Sequence, residues 1–256
     1  MQIITDAKGE MLSSTFLRPS NFHAHLRRDA LMRAVAKHIM RYVLYLLAMP
    51  NNGPIRTMAD ALAYYDELMA IVEAEVDHQV VLVMTLYHTA DTTPDVIEQI
   101  AHSTFVHAVK HYPPHPGATT GSGLGIPLED PRSHEMLRAM EVNRVPFLGH
   151  FEAVVDKDGR PLQPEDGEKY MVDNYLWELR DRYPNLKICF EHASTIEAIE
   201  WVKADPSGNS VLTATPHHSL FAAPDFALWG PDLKCKPIVQ TPENRDAILE
   251  FITSGD

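Results

Sequence analysis

His23 and His25 stand two residues apart in the stretch NFHAHLR. In an extended strand that spacing turns both imidazoles to one face. Two neutral imidazoles on one face can hold a metal ion, and imidazole suits zinc. An H-x-H pair on its own is equally a polar strand face. Further along, polar side chains close a series of apolar runs. Asn51 follows VLYLLAMP, Lys110 ends FVHAVK, His150 ends VPFLGH, His192 ends LKICFEH, and His217 and His218 follow SVLTATP. One histidine after a strand is ordinarily satisfied by a backbone carbonyl. Several in register form a set, because random placement would scatter them over helices too. His38, His78, His88, His102, His107 and His134 do look scattered and read as structural.

Lys110 is the odd member. At the apolar end of a strand its amine loses hydration, which lowers its pKa. A neutral amine adds to carbon dioxide to give a carbamate, an anionic ligand with two oxygens that can bridge two metals. Taken alone, Lys110 reads first as a salt-bridge lysine. The loop PPHPGATTGSGLGI has neither G-x-x-x-x-G-K-[ST] nor a G-x-G-x-x-G that opens a helix, so it is no phosphate cradle. It reads as a mobile loop over a pocket, offering the Thr119 and Thr120 hydroxyls, or as an ordinary surface loop. No G-x-S-x-G elbow supports a serine triad.

Short β-rich runs alternate with amphipathic helical stretches. Strands are expected over 43–48, 79–86, 105–110, 145–150, 186–192 and 210–215, with a short one over 234–239. Helices are expected over 57–76, 94–101, 131–143, 165–182, 194–203 and 242–253. Repeated alternation implies parallel strands with helical crossovers. A (β/α) barrel leads and a doubly wound sheet is its rival. In a barrel, chemistry sits at the C-terminal strand ends, where the polar residues fall.

The chain has 256 residues, 22 basic and 35 acidic side chains, and a net charge of −13. One domain over 1–256 fits that length, and the acidic balance argues against a nucleic-acid surface. Cys189 and Cys235 lie far apart and read as reduced thiols of a cytoplasmic protein. There is no signal-peptide pattern, and the longest apolar run, 42–50, is too short for a bilayer.

Collectively these motifs resemble the dihydroorotases of the amidohydrolase superfamily, in their single-function bacterial and fungal form. The resemblance runs in order through FHAHLR at 22–27, AMPN at 48–51, VMTLY at 83–87, AVKHYP at 108–113, GATT at 117–120, HFE at 150–152, FEHAST at 190–195, TPHH at 215–218 and CKP at 235–237. It implies a (β/α)8 TIM-type barrel and two zinc ions per subunit. His23 and His25 would bind the more buried metal, and His150 and His192 the second. Lys110, carboxylated, would bridge both. Arg27 and Asn51 would hold the substrate carboxylate, and Thr119 and Thr120 would close over the substrate. The implied reaction is the reversible cyclisation of N-carbamoyl-L-aspartate to L-dihydroorotate in pyrimidine biosynthesis. The implied partner is thus a small molecule, with no nucleic acid and no membrane; a homodimer is left open.

The sequence also departs from the family. The family's proton carrier, an aspartate in G-T-D-S-A-P-H after strand eight, has no counterpart, so no catalytic residue is assigned. The chain stops at Ser254-Gly255-Asp256, where the helix before strand eight is ending. Asp256 would fall ahead of that strand and is not the missing base. The expectation is a barrel truncated before strand eight: a fragment, or a chain whose gap something else fills, and by itself weakly stable and poorly active. Phe151 replaces the glycine of H-G-E and is expected to crowd the pocket. His111 stands where leucine or cysteine is usual, Gln240 replaces a frequent basic residue, and two extra residues lengthen the loop around His115-Pro116. Two other readings remain. One is an inactive metal-binding homologue acting as an assembly or regulatory partner. The other is a hydantoinase or allantoinase, against which Arg27 and AMPN argue through carboxylate binding.

Overall fold

A computed structural model describes residues 2–5, 8, 11–15, 17–51, 53–119 and 121–254. Strands β1 (Gln2–Thr5) and β2 (Met11–Thr15) pair antiparallel. The rest is one parallel sheet wrapped by helices. Its strands are β3 (Ser20–Ala24), β4 (Tyr45–Ala48), β5 (Val81–Tyr87), β6 (Val106–His111), β7 (Phe147–Gly149), β8 (Ile188–Phe190) and β9 (Ser210–Leu212). The crossovers carry α1 (Asp29–Met40), α2 (Met58–Glu75), α3 (Pro94–Ala101), α4 (Pro131–Asn143), α5 (Gly167–Met171), α6 (Trp177–Arg182) and α7 (Ile196–Ala204). After β9 come α8 (Pro216–Leu220), α9 (Phe226–Trp229) and α10 (Pro242–Ser254).

Sheet order follows chain order from β3 to β9, every neighbour parallel. A doubly wound sheet reverses its order at a switch point. This one does not, so it is seven strands of a half-barrel in the TIM-barrel sense. Among the described residues no strand pairs with the outer edge of β9.

Residue parity sorts the sheet into two faces. Leu46, Val109, Phe147, Ile188 and Phe190 join the large cluster formed with the helices. Leu47, Met49, Ala108, Leu148 and Cys189 form a small second cluster on the concave face. Lys110 shares its parity with Ala108 and so turns to the concave side at the strand end. His111 shares its parity with Val109 and turns toward the helices.

The helix starts follow from local hydrogen bonding. Thr57 and Asp60 form a reciprocal capping box at the start of α2. Thr93 with Pro94 opens α3, and Asp130 with Pro131 opens α4. The single helix expected over 165–182 is instead α5 and α6 joined by a π-helical stretch, Val172–Leu176, after a 3-10 turn at Pro164–Asp166. Helix α1 was not foreseen. The strand expected over 234–239 is absent. Its backbone groups are spent elsewhere: the Lys234 amide donates to the Pro231 carbonyl at 3.0 Å, and the Pro237 carbonyl accepts from His218 Nε2 at 3.0 Å.

Candidate metal centre

Lys110 is fully buried, and among the described residues its Nζ has no hydrogen-bond partner. Burial pushes the amine down to about 8, against the opposing pull of the Glu191 carboxylate. Its charge acts on His23, His25, His150 and His192, lowering the pKa of each, with burial the larger cause in every case. Strand ends far apart in sequence therefore bring one amine and four imidazoles together.

The imidazoles stand as two facing pairs. His23 Nε2 lies 3.1 Å from His25 Nε2, and His150 Nδ1 lies 3.0 Å from His192 Nε2. Behind the first pair, Glu191 accepts from His23 Nδ1 and Asn51 Oδ1 accepts from His25 Nδ1 at 2.7 Å. Those outer partners take the ring protons, so neutral His23 and His25 turn bare Nε2 lone pairs toward each other. Two lone pairs at that distance repel unless a cation sits between them. Behind the second pair, Glu152 accepts from His150 Nε2 at 2.9 Å and is itself held by Lys236 Nζ at 3.2 Å. This leaves His150 Nδ1 bare. Carboxylates behind histidines fix the tautomer and raise ligand basicity, as at metal sites.

Among the described residues no three His, Cys, Asp or Glu side chains close on one point. Catalytic zinc sites take three protein ligands, and each pair supplies two. Lys110 is the group left over. The donor set thus fits two ions with a shared further ligand better than one ion alone.

Local backbone explains how neighbouring side chains serve one rim. Glu191 follows Phe190, whose ring packs outward, so parity turns Glu191 inward. His192 then takes a left-handed φ of 45°, and Arg27 one of 65°, strained for residues with a Cβ. At His192 the bend lets two successive residues both work at the rim. Its amide donates to Thr213 Oγ1 at 2.7 Å.

Of the other expected residues, Asn51 is buried and its Oδ1 is engaged by His25. Arg27 lies close enough to act on the charge of His25. Thr119 Oγ1 is buried and lacks a partner among the described residues, while its amide donates to Ser122 Oγ at 3.0 Å. Thr120 lies outside the described residues. His218 is structural, bonded to Thr215 Oγ1 and the Pro237 carbonyl. Glu152, Glu191 and Lys236 were not foreseen as participants. The available signal was their position in HFE, FEH and CKP, one or two residues from candidate ligands or conspicuous motif residues.

Phe151 does not crowd the cleft. Its ring is fully buried, 5.3 Å from the Phe190 ring centroid and 6.1 Å from that of Phe147. His88, read from sequence as structural, joins His111: their Nδ1 atoms are 2.9 Å apart, and His88 Nε2 lies 3.0 Å from Ser133 Oγ. Burial holds His88 down to about 3 and His111 well below the ordinary range.

Glu168 secures the loop after His192. Its carboxylate accepts from the Ser194 amide at 3.1 Å, Ser194 Oγ at 2.9 Å and Thr195 Oγ1 at 2.8 Å. Burial nonetheless pushes it up to about 8. A carboxyl raised on folding binds its proton more tightly in the native chain, so stability should fall as pH rises from about 4 toward about 8 and then level off. Urea titrations across that range should show the slope, at most one proton's worth, and Glu168→Gln should flatten it.

No family model matches the sequence. The dihydroorotase of Synechocystis sp. is 37% identical over 245 residues, 94% of this chain and 68% of that protein. The Microcystis aeruginosa dihydroorotase is 38% identical over the same length and the same shares. The crystal structure of dihydroorotase from Saccharomyces cerevisiae, in complex with 5-fluoroorotic acid, superposes with a TM-score of 0.82 at 27% identity, over 93% of this chain and 66% of that one. The chain thus spans about two thirds of the length of these relatives. On sequence, strand order and rim histidines together, it belongs to the dihydroorotase family of cyclic amide hydrolases, within the amidohydrolase superfamily.

Proposed function

We propose that this chain serves the dihydroorotase reaction, the reversible cyclisation of N-carbamoyl-L-aspartate to L-dihydroorotate in de novo pyrimidine (UMP) biosynthesis. The observation that carries the reading is the pair of facing imidazole couples around a buried lysine whose amine has no hydrogen-bond partner among the described residues. Its setting is the cytoplasm, where this pathway's small-molecule substrates are. Among the described residues no helix is long and apolar enough to cross a membrane.

His23 and His25 would hold one Zn2+ and His150 and His192 the other. Zinc, when bound, supplies a Lewis acid for the ring amide carbonyl and water activated at neutral pH. The chain's own residues do the rest. Glu191 and Asn51 hold the first imidazole pair in the tautomer that leaves Nε2 bare, and Glu152 does the same for His150 Nδ1. Lys110, with its amine brought down to about 8, has a sizeable neutral fraction near pH 7.5. That amine adds to carbon dioxide: an N–C bond forms, one proton leaves, and an anionic carbamate results. That carbamate would offer each zinc ion a third protein ligand. Arg27 and Asn51 hold the substrate carboxylate, an arginine fork matching its two oxygens. Thr119 and Thr120 close over the ring and exclude water.

Zinc content and dihydroorotate turnover of the chain, loaded with zinc and bicarbonate, test the reading. About two zinc ions per chain with measurable but slow turnover is the expected result, since no residue of the chain is assigned as the proton carrier. Zinc without turnover would instead support a binding partner, and no zinc would sink both.

A further inference from the structure

Charge is segregated between two neighbouring helices. Helix α1 carries Arg33 and Lys37 and is capped by Arg41, with Asp29 as its one acidic residue. The three cations are four residues apart, so they form one row along the helix, where like charges repel. Helix α2 carries Asp60, Asp66, Glu67, Glu73 and Glu75, and no Lys or Arg. Asp66 and Glu73, two turns apart, share one exposed row. At 1.5 Å per residue the cationic row is about 12 Å long and the acidic row about 11 Å. The two helices pack side by side. Among the described residues one ion pair joins them, Arg28 Nη1 to Glu67 Oε1 at 3.1 Å. Arg33, Lys37, Arg41, Asp66 and Glu73 form no ion pair among the described residues.

The outward face of α2 is also apolar. Inward, the helix buries Ala61, Tyr64, Leu68, Ile71 and Val72. Outward, it exposes Leu62 together with Ala59, Ala63, Ala70 and Ala74. A helix that is apolar on every side is ordinarily covered on every side. The small side chains let a second helix approach closely. Helix α2 lies between α1 and α3 and against β5. The free edges of the sheet are at β3 and β9, so a strand added at either edge would leave this face open. What covers it must be small at its centre and carry cations toward the acidic row. Helix α1 is such a surface, with Ala30 and Ala34 exposed beside its cations. It already packs beside α2 and cannot also lie over it, so it reaches that face only from another copy.

We propose that two copies of this chain associate through the outward faces of α1 and α2, with the Arg33, Lys37 and Arg41 row of each copy along the Asp66 and Glu73 row of the other. Such an interface is isologous, so each contact is made twice. The charge pattern fixes the register between the copies, and the alanines supply the closely packed centre. The interface is independent of the proposed reaction, since no residue of either row belongs to the rim.

Sedimentation equilibrium of the chain should show a reversible dimer. Reversing the acidic row with Asp66→Lys/Glu73→Lys makes each copy of this acidic chain less negative, because each change turns an anion into a cation. General repulsion between copies is then smaller. Self-association should nonetheless weaken about tenfold or more, because like charges now meet across the interface. Reversing the cationic row with Arg33→Glu/Lys37→Glu/Arg41→Glu should weaken it likewise. Mixed together, the two variants should form a heterodimer, in which opposite charges meet again. Recovery in the mixture also shows that both variants are folded. Zero-length carbodiimide coupling in a mixture of 14N- and 15N-labelled chain needs no variant. It should join Lys37 of one copy to Asp66 or Glu73 of the other. A monomeric parent, a reversed variant that dimerises as the parent does, folded variants that form no heterodimer, or coupling confined within single chains would each overturn the proposal.

Discussion

Lys110→Met is expected to yield a metal-free chain more resistant to heat than the parent, yet one that holds at most one zinc where the parent holds two. The stability gain comes from the buried amine. Lys110 Nζ has no hydrogen-bond partner among the described residues, and a buried polar group without one costs roughly 1–3 kcal/mol. Methionine keeps much of the volume without the nitrogen. A chain of this size should gain a few degrees in Tm, at roughly 2–4 °C per kcal/mol. The sign depends on pH. The native amine is lowered to about 8 from 10.5, so it binds its proton less tightly than the unfolded one. The parent should therefore gain stability as pH rises from about 8 toward 10.5, and the variant should lack that rise. With zinc and bicarbonate the ranking reverses, since only the parent is stabilised by full loading. Melting curves with and without zinc, alongside metal analysis, check this. Unchanged stoichiometry in the variant would refute the bridging role.

Phe151→Gly should be the most damaging single change for folding, although it restores the residue usual in the family. The ring fills space beneath β7, against Phe147, Phe190 and His111. Emptying it should cost roughly 3–5 kcal/mol, with a further contribution from the freed backbone. Gly149 is the complement of that ring. A Cβ there would sit 2.0 Å from Phe151 Cζ, so the buried ring would have to shift. Gly149→Ala should therefore be severe in the parent and mild when Phe151 is already glycine. Urea midpoints of the two single variants and the double variant form the cycle. Additive losses would show that the two positions are not coupled.

Much of this architecture was written locally. Helices α3 and α4 begin where a capping side chain and a proline coincide, and both match their expected bounds. Strands β5 and β6 end within a residue of expectation, because apolar runs between turn residues leave little choice. Helix α1 escaped because its Arg28 N-cap makes no side-chain bond that would mark where the helix starts. The rim was legible as a set of strand-end nitrogens, but not as two facing pairs. Facing depends on parity across separate strands and on the left-handed turn at His192, which no spacing within one motif encodes. The His88–His111 contact was hidden for the same reason. The residues lie 23 apart, and only the β5–β6 register sets them side by side.

Gly121 carries a consequence for how this chain tolerates change. At φ +75° it passes so near Asn51 that a Cβ would lie 2.3 Å from the Asn51 carbonyl oxygen. The Asn51 side chain steadies His25. The downstream foot of the threonine loop thus packs against a residue that orients the His25 ring, while His115 and Pro116, upstream, are exposed. Extra length added before that contact can billow into solvent without disturbing the imidazoles. The same length added at the contact would be felt by them directly.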